Sequence, residues 1–322
     1  MELNWNITKQ NMIVATVLLF FAIGIYLAIQ AMLFFEAEYE KNLLDEDDIV
    51  FPVPQAGADN SFKNLSLEAQ AYFVWDARDQ RVLATSESET QLPLASLTKL
   101  MTILIAIENS LDGDIVTIDQ ADLNKEGENN LAVGESWRLT DLIDFMVVVS
   151  SNDAAHSLAS VRNAFSEGEN EMPSRQLFLQ KMNEKAEKIG MTQTYYLNES
   201  GLDATVAMSG GYGSAKDTTI LLEYILREYP SLLDASAQEI LTTNSDLLTH
   251  QIQNTNQIVA KLPGVIASKT GWTDLAGGNL AMAFDIGIGH NIIIVLLGSS
   301  KEGRFTDMEK LYWASIDKIS RI

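Results

Sequence analysis

The chain contains no cysteine, only three histidines, and half as many Lys+Arg (22) as Asp+Glu (44). Each shortage removes a class of function. Without cysteine there is no disulfide, no thiolate nucleophile, no Cys-ligated zinc and no iron–sulfur cluster. Three scattered histidines leave little for a His-based metal site. A formal net charge of −22 disfavours nucleic acid as a partner, because phosphate binding needs clustered Lys and Arg. What remains is ample for folding. With 47% hydrophobic and 20% charged residues over 322 positions, the chain can bury a large core in one or two domains.

The first hydrophobic feature is a membrane-type run. Asn11 to Phe35 holds no charged side chain. As a helix it is about 37 Å long, enough to cross a hydrocarbon layer of ~30 Å with some tilt. It is too long for a signal-peptide core and no clean A-x-A site follows, so an uncleaved anchor is expected. Lys9 precedes the run; Glu36, Glu38, Glu40 and Asp45 to Asp48 follow it. Positive-inside logic places residues 1–10 in the cytoplasm and the rest of the chain outside, as a single-pass membrane protein. Residues 36–66, acidic and carrying Phe51-Pro-Val-Pro54, read as a linker. The globular domain is expected over 67–322.

Within that domain the pattern predicts strands at both ends and helices between. AYFVWDA (71–77) and RVLAT (81–85) flank the polar turn Arg78-Asp79-Gln80 as a hairpin. Leu94 to Glu108 is apolar on nearly every face, the mark of a buried helix, with Pro93 at its start. Helical patterns follow at 139–149 and 153–163, broken at Ser150-Ser-Asn152. Two more are expected, from Pro173 to Ile189 with Gly190 as its cap, and from Lys216 to Tyr229. VIASKTG, NLAMAFDI and NIIIVLLGS are strands, and Glu302 to Ile322 a closing helix. Such an order suits an α/β (α+β) domain: a sheet assembled from both chain ends with a helical insert.

Three short motifs carry chemistry. Ser96-Leu-Thr-Lys99 puts a hydroxyl and an amine on one helical face, three residues apart. Serine is a weak nucleophile without a neighbouring base, and a lysine neutralised by burial can be that base. Alone the motif is weak; Ser315-Ile-Asp-Lys318 matches it too and reads as solvated terminal helix. Ser150-Ser-Asn152 offers a hydroxyl to pass a proton to a leaving group and an amide to hold a substrate backbone. Lys269-Thr-Gly271, followed by Trp272, offers a second cation, a hydroxyl for a substrate carboxylate and a glycine that admits close backbone approach. In this order the three resemble the catalytic set of penicillin-binding proteins and class A β-lactamases.

The surroundings carry the resemblance further. PLASLTKLMT, LIDFMVVVSSNDAAHSLA, FLQKMNEKAEKIGMTQTYYLNESGL and SKTGWTDLAGGNLAMAF are similar to segments of the low-molecular-mass serine D-Ala-D-Ala carboxypeptidases, peptidase family S11, over roughly residues 70 to 300. The resemblance implies a penicillin-binding, β-lactamase-like transpeptidase fold: an antiparallel sheet with flanking helices plus an all-helical region, here behind one transmembrane helix. It implies Ser96 as the acylated nucleophile, Lys99 as general base, and Ser150 and Asn152 in proton transfer and substrate holding. Lys269 and Thr270 would bind a terminal carboxylate, and the N–H groups of Ser96 and Trp272 would form the oxyanion hole beside Gly271. The implied partners are peptidoglycan stem peptides ending in D-Ala-D-Ala, with β-lactams as covalent inhibitors; no metal or organic cofactor is implied.

Departures and rivals are specific. Only 51 residues follow Gly271, enough for the rest of the sheet and one helix, so the C-terminal β-domain of many relatives is not expected. After Gly201, DATVAMSGGYGSAKD lacks the His-containing pattern common in the family, and its Gly210-Gly-Tyr-Gly213 reads as a flexible loop at the cleft rim. A Ser-His-Asp hydrolase lacks a Gly-x-Ser-x-Gly elbow, and His156, His250 and His290 read as ordinary side chains. A serine β-lactamase needs a carboxylate for the deacylating water; Glu167, Glu169, Glu171 and Glu199 do not sit where class A enzymes place it. The same cleft would also serve a DD-endopeptidase or a non-catalytic peptidoglycan-binding protein.

Overall fold

In the computed structural model of the chain, the described residues are Gln30, 61–110, 113–123, 130–160, 174–287 and 289–321. The chain divides into two compact units, Met1–Asp48 and Ile49–Ile322, and all described residues except Gln30 belong to the second. Apart from Gln30, the expected span at 11–35 lies outside them, as do the tail 1–10 and most of the linker. No helix among the described residues is long and apolar enough to cross a membrane.

The chain begins its sheet with the expected hairpin, β1 (Ala71–Asp76) and β2 (Arg81–Ser86). A short β3 (Leu92–Pro93) leads into a 3₁₀ turn, Ala95–Thr98, and helix α1 (Lys99–Glu108). A small hairpin of β4 (Ile115–Thr117) and β5 (Ser136–Arg138) precedes α2 (Leu139–Val149), α3 (Asn152–Ser160) and α4 (Ser174–Lys188). Next come β6 (Tyr195–Tyr196), β7 (Gly211–Gly213) and α5 (Ala215–Glu228). A third hairpin, β8 (Ile240–Asn244) and β9 (Thr249–Gln253), leads to β10 (Val265–Thr273), β11 (Gly277–Asp285), β12 (Asn291–Ser299) and α6 (Gly303–Ser320).

The main sheet is antiparallel with strand order β10-β11-β12-β1-β2, so the two chain ends meet at the β12–β1 ladder. The central strands β1, β11 and β12 are buried along nearly their whole length because both faces of the sheet are covered. Strand periodicity sorts the side chains. Ala281, Ala283, Ile293, Val295, Phe73 and Trp75 face a core shared with α1 to α5; Leu280, Met282, Phe284, Ile292, Ile294 and Val74 face α6 through Phe305, Met308 and Leu311. Each fully buried Val, Leu, Ile, Met or Phe among them contributes ~1.5–3 kcal/mol. Phe62 and Leu65 pack on the α6 side, and Ser61 donates to Asp317 of α6 at 2.8 Å. Residues 61–66, expected as the linker's end, therefore lie on the domain itself.

Three expectations are corrected. Lys99 opens α1, and Ser96 stands on the 3₁₀ turn before it, so the expected single helix from Leu94 is two elements; Pro93 ends β3. Gly210 to Gly213 is no rim loop. β7 is a strand between β3 and β6, and glycine stands there because a Cβ on Gly211 would lie 2.6 Å from Thr98 Oγ1 and one on Gly210 2.3 Å from the Leu202 carbonyl. Ser315 is buried at 1% exposure and donates to the Leu311 carbonyl, while Lys318 caps the Leu83 carbonyl at 2.7 Å, so that motif ties α6 to the sheet.

Candidate active site

The site forms where β10, at the edge of the sheet, passes the 3₁₀ turn before α1 and the break between α2 and α3. Asn279 of β11 donates to the Pro93 carbonyl at 2.9 Å and accepts from Gly298, which fixes the approach to the turn. Ala95, a non-glycine at φ +48°, sits in the left-handed region next to Ser96, a strain that surrounding packing must hold. Two glycines admit that packing. A Cβ on Gly271 would lie 3.0 Å from the Leu94 carbonyl and 3.2 Å from the Ser96 nitrogen; one on Gly201 would lie 1.8 Å from the Ala95 carbonyl.

Lys99 is fully buried, and its Nζ spends three donors on three named acceptors. These are Ser96 Oγ at 2.9 Å, Asn152 Oδ1 at 2.7 Å and the Ser200 carbonyl at 2.7 Å. Burial lowers its pKa from 10.5 to about 7, against the opposing pull of Glu199. Half-buried Ser96 thus faces an amine that is largely neutral at mildly alkaline pH.

Ser150 ends α2 at φ +61°, a left-handed turn that aims its hydroxyl at β10. There Lys269 Nζ donates to Ser150 Oγ at 2.7 Å and to the Thr270 carbonyl at 2.8 Å. Lys269 is buried too; burial first, then the charges of Lys99 and Arg304, push its pKa well down. Thr270 Oγ1 shares a 2.7 Å bond with Thr255 Oγ1. Trp272 is 44% exposed, with Lys301 Nζ 4.9 Å from its ring. Beside these lies a cleft of about 580 Å³, lined among others by Asn152, Leu202, Asp203, Val206, Trp272 and Leu275.

The expected residues Ser96, Lys99, Ser150, Asn152, Lys269, Thr270, Gly271 and Trp272 are therefore brought to one place. Others join them without having been expected. The Ser200 carbonyl is a backbone group and carries no residue signature. Arg304 of α6 is buried and donates through Nη1 to the Gly271 carbonyl at 2.6 Å. Thr255 orients Thr270. Each histidine meets a buried carboxylate: His156 with Glu199 at 2.9 Å, His250 with Glu135 at 2.9 Å, His290 with Asp76 at 2.8 Å. Glu199 has its other oxygen on Arg175 at 2.9 Å. Glu167, Glu169 and Glu171 lie outside the described residues.

Residues 58–301 match the peptidase S11 family, D-alanyl-D-alanine carboxypeptidase. The chain is 29% identical over 249 residues to the D-alanyl-D-alanine carboxypeptidase DacB2 of Mycobacterium tuberculosis, covering 76% of this chain and 78% of that one. It is 32% identical over 218 residues to a D-alanyl-D-alanine endopeptidase of Haemophilus influenzae, covering 66% and 69%. Its fold is similar to that of penicillin-binding protein D2 of Listeria monocytogenes in an ampicillin-bound form, with a TM-score of 0.66, 27% identity, and coverage of 79% and 99%.

Proposed function

The chain belongs to the peptidase S11 family, serine-type D-alanyl-D-alanine carboxypeptidases, and from that premise we propose that it removes the terminal D-Ala from peptidoglycan stem peptides through an acyl-enzyme on Ser96. The observation that carries the reading is the 2.9 Å contact between a fully buried Lys99 amine and the Ser96 hydroxyl. The neutral amine takes the Ser96 proton as Oγ attacks the carbonyl carbon of the penultimate D-Ala. The developing oxyanion is met by the N–H groups of Ser96 and Trp272. Ser150 relays to the departing D-Ala nitrogen the proton that Lys99 took from Ser96, the C–N bond breaks, the ester on Ser96 remains, and Lys99 is neutral again. Water then attacks the ester, losing its proton to Lys99, and Ser96 Oγ leaves, taking that proton from Lys99. Lys269 and Thr270, with Arg304 adding positive field, hold the terminal carboxylate. β-Lactams enter as mimics of the D-Ala-D-Ala end.

The deciding experiment follows the intact mass of the chain with benzylpenicillin. A single lasting adduct that maps to Ser96 and is missing in Ser96→Ala, with D-Ala release from a pentapeptide, is expected. Hydrolysed penicillin without an adduct would move the assignment to a β-lactamase. Neither adduct nor hydrolysis would leave a non-catalytic wall-binding protein.

A DD-endopeptidase is the second reading, favoured by the 32% identity to the Haemophilus endopeptidase and by a cleft that runs past Asn152 along Leu202 and Leu275. Cleavage of a cross-linked dimer in preference to a free pentapeptide would select it.

The anchor at 11–35, with the catalytic domain outside the cell, belongs to the same proposal. Its support is the 25-residue uncharged run bounded by acidic residues on one side. Release of the chain by alkaline carbonate would reject the span, and protection of the domain from added protease in spheroplasts would reject the orientation.

A further inference from the structure

Behind the reactive pair lies a polar cluster that the proposed mechanism does not use. Glu199 is 4% exposed, and its carboxylate bridges two helices that are separate in sequence: His156 Nδ1 of α3 at 2.9 Å and Arg175 Nε of α4 at 2.9 Å. Its own carbonyl accepts the Thr102 hydroxyl of α1 at 2.6 Å. The next residue gives its carbonyl to Lys99 Nζ at 2.7 Å. Asn198 fastens the other side of the same short loop, with Oδ1 on Gly201 N at 2.7 Å and Nδ2 on the Leu202 carbonyl at 2.9 Å. A buried carboxylate is costly unless paired, and this one is doubly paired.

We propose that Glu199 is a positioning residue for the reaction: held by His156 and Arg175, it fixes the loop that presents the Ser200 carbonyl to Lys99 and sets a negative charge behind the Lys99 amine. The inference rests on Lys99 acting as the base for Ser96. A carbonyl acceptor and a fixed carboxylate together hold Nζ within reach of Ser96 Oγ and Asn152, where a small displacement would cost rate. The charge works on the amine in a definite direction. Burial raises the Glu199 pKa, but the His156 bond and the Arg175 charge outweigh it, so the group stays ionised. Its field favours the protonated amine, opposing the burial that drives Lys99 down. The other charged groups around the pair are Lys269 on β10, with Arg304 of α6 behind it, Arg175 on α4, and His156 on α3 with Asp122 beyond it.

The test is the rate of Ser96 acylation by benzylpenicillin between pH 5 and 10, read by intact mass on the purified full chain. Glu199→Gln keeps the size and loses the charge. The pH of half-maximal rate is expected to fall by about half a unit or more, because the protonated amine loses its support. Glu199→Ala also frees the loop, and kcat for D-Ala release is expected to fall about ten- to a hundredfold with KM little changed. Arg175→Gln, at a side chain 48% exposed, gives an independent reading if the Glu199 variants do not fold. It removes a positive charge and leaves the carboxylate, so the half-maximal pH is expected to rise. Opposite shifts in the two charge variants support the inference, since a merely structural role would move neither. A half-maximal pH that stays in place in both, or moves against these signs, overturns it. No adduct on Ser96 of the parent chain at any pH would instead overturn the reading of Lys99 and Ser96, and this inference with it.

Discussion

Lys269 Nζ donates to Ser150 Oγ across 2.7 Å, joining the edge strand β10 to the left-handed turn that ends α2. The bond couples the residue assigned to the substrate carboxylate to the residue assigned to proton transfer. Groups that act as a unit give non-additive losses when removed. Ser150→Ala and Lys269→Ala are each expected to lower kcat/KM for D-Ala release. The double variant should lose little more than the worse single one. A complete double-mutant cycle measures this, and two losses that simply multiply would show the residues to be independent.

The pH dependence follows from the Lys99 amine. Burial brings its pKa to about 7, and only the neutral amine can accept the Ser96 proton. Acylation by penicillin should therefore be slow at pH 5, half-maximal near 7, and level above about 8. A rate constant that is flat from pH 5 to 9 would remove Lys99 from the role of base.

The same shift has a consequence for stability. The folded state holds the proton less tightly than the unfolded chain, whose Lys99 titrates at its ordinary 10.5. Between about pH 7 and 10.5 the unfolded state thus binds more protons, and the Lys99 contribution to stability rises with pH through that window. In Lys99→Met the contribution is gone. The melting temperature of the variant relative to the parent should therefore decline as pH goes from 7 to 10. Parallel curves for the two proteins would mean that Lys99 is not neutralised by folding.

How much of this was legible in the sequence depends on which atoms do the work. Ser96 and Lys99 were legible because an i, i+3 hydroxyl and amine share a face whether the turn is 3₁₀ or α. The sheet was legible because VIASKTG, NLAMAFDI and NIIIVLLGS are short apolar runs bounded by glycine and polar turns, and the first and last are rich in β-branched residues. The Ser200 carbonyl was not, since a backbone acceptor has no side-chain signature. Arg304 was not, because its partner, the Gly271 carbonyl, is reached only after α6 folds back on the sheet. Gly210 to Gly213 misled for a different reason: a glycine cluster reads as flexibility, whereas Asn198 and Leu202 crowd Gly210 and Thr98 crowds Gly211 until no side chain fits at either.

Crowding of that kind separates two glycines that backbone geometry alone would treat alike. Gly190 and Gly201 have φ of +81° and +78°. A Cβ on Gly190 meets nothing within 4 Å, so Gly190→Ala should cost only the left-handed backbone strain, about 1–2 kcal/mol. A Cβ on Gly201 would stand 1.8 Å from the Ala95 carbonyl and 2.7 Å from Thr98 Oγ1, inside the turn that carries Ser96. Both obstacles belong to a strained, packed segment, so relief must come from moving the turn or the 198–202 loop. Gly201→Ala is expected to cost about 4 kcal/mol or more, and any fraction that folds should acylate slowly, because Ser96 and the Ser200 carbonyl are displaced together. Chemical denaturation of the two variants beside the parent measures the difference. Equal losses at the two positions would show that the nucleophile turn yields freely to the loop beneath it, contrary to the close packing that places Ser96 against Lys99.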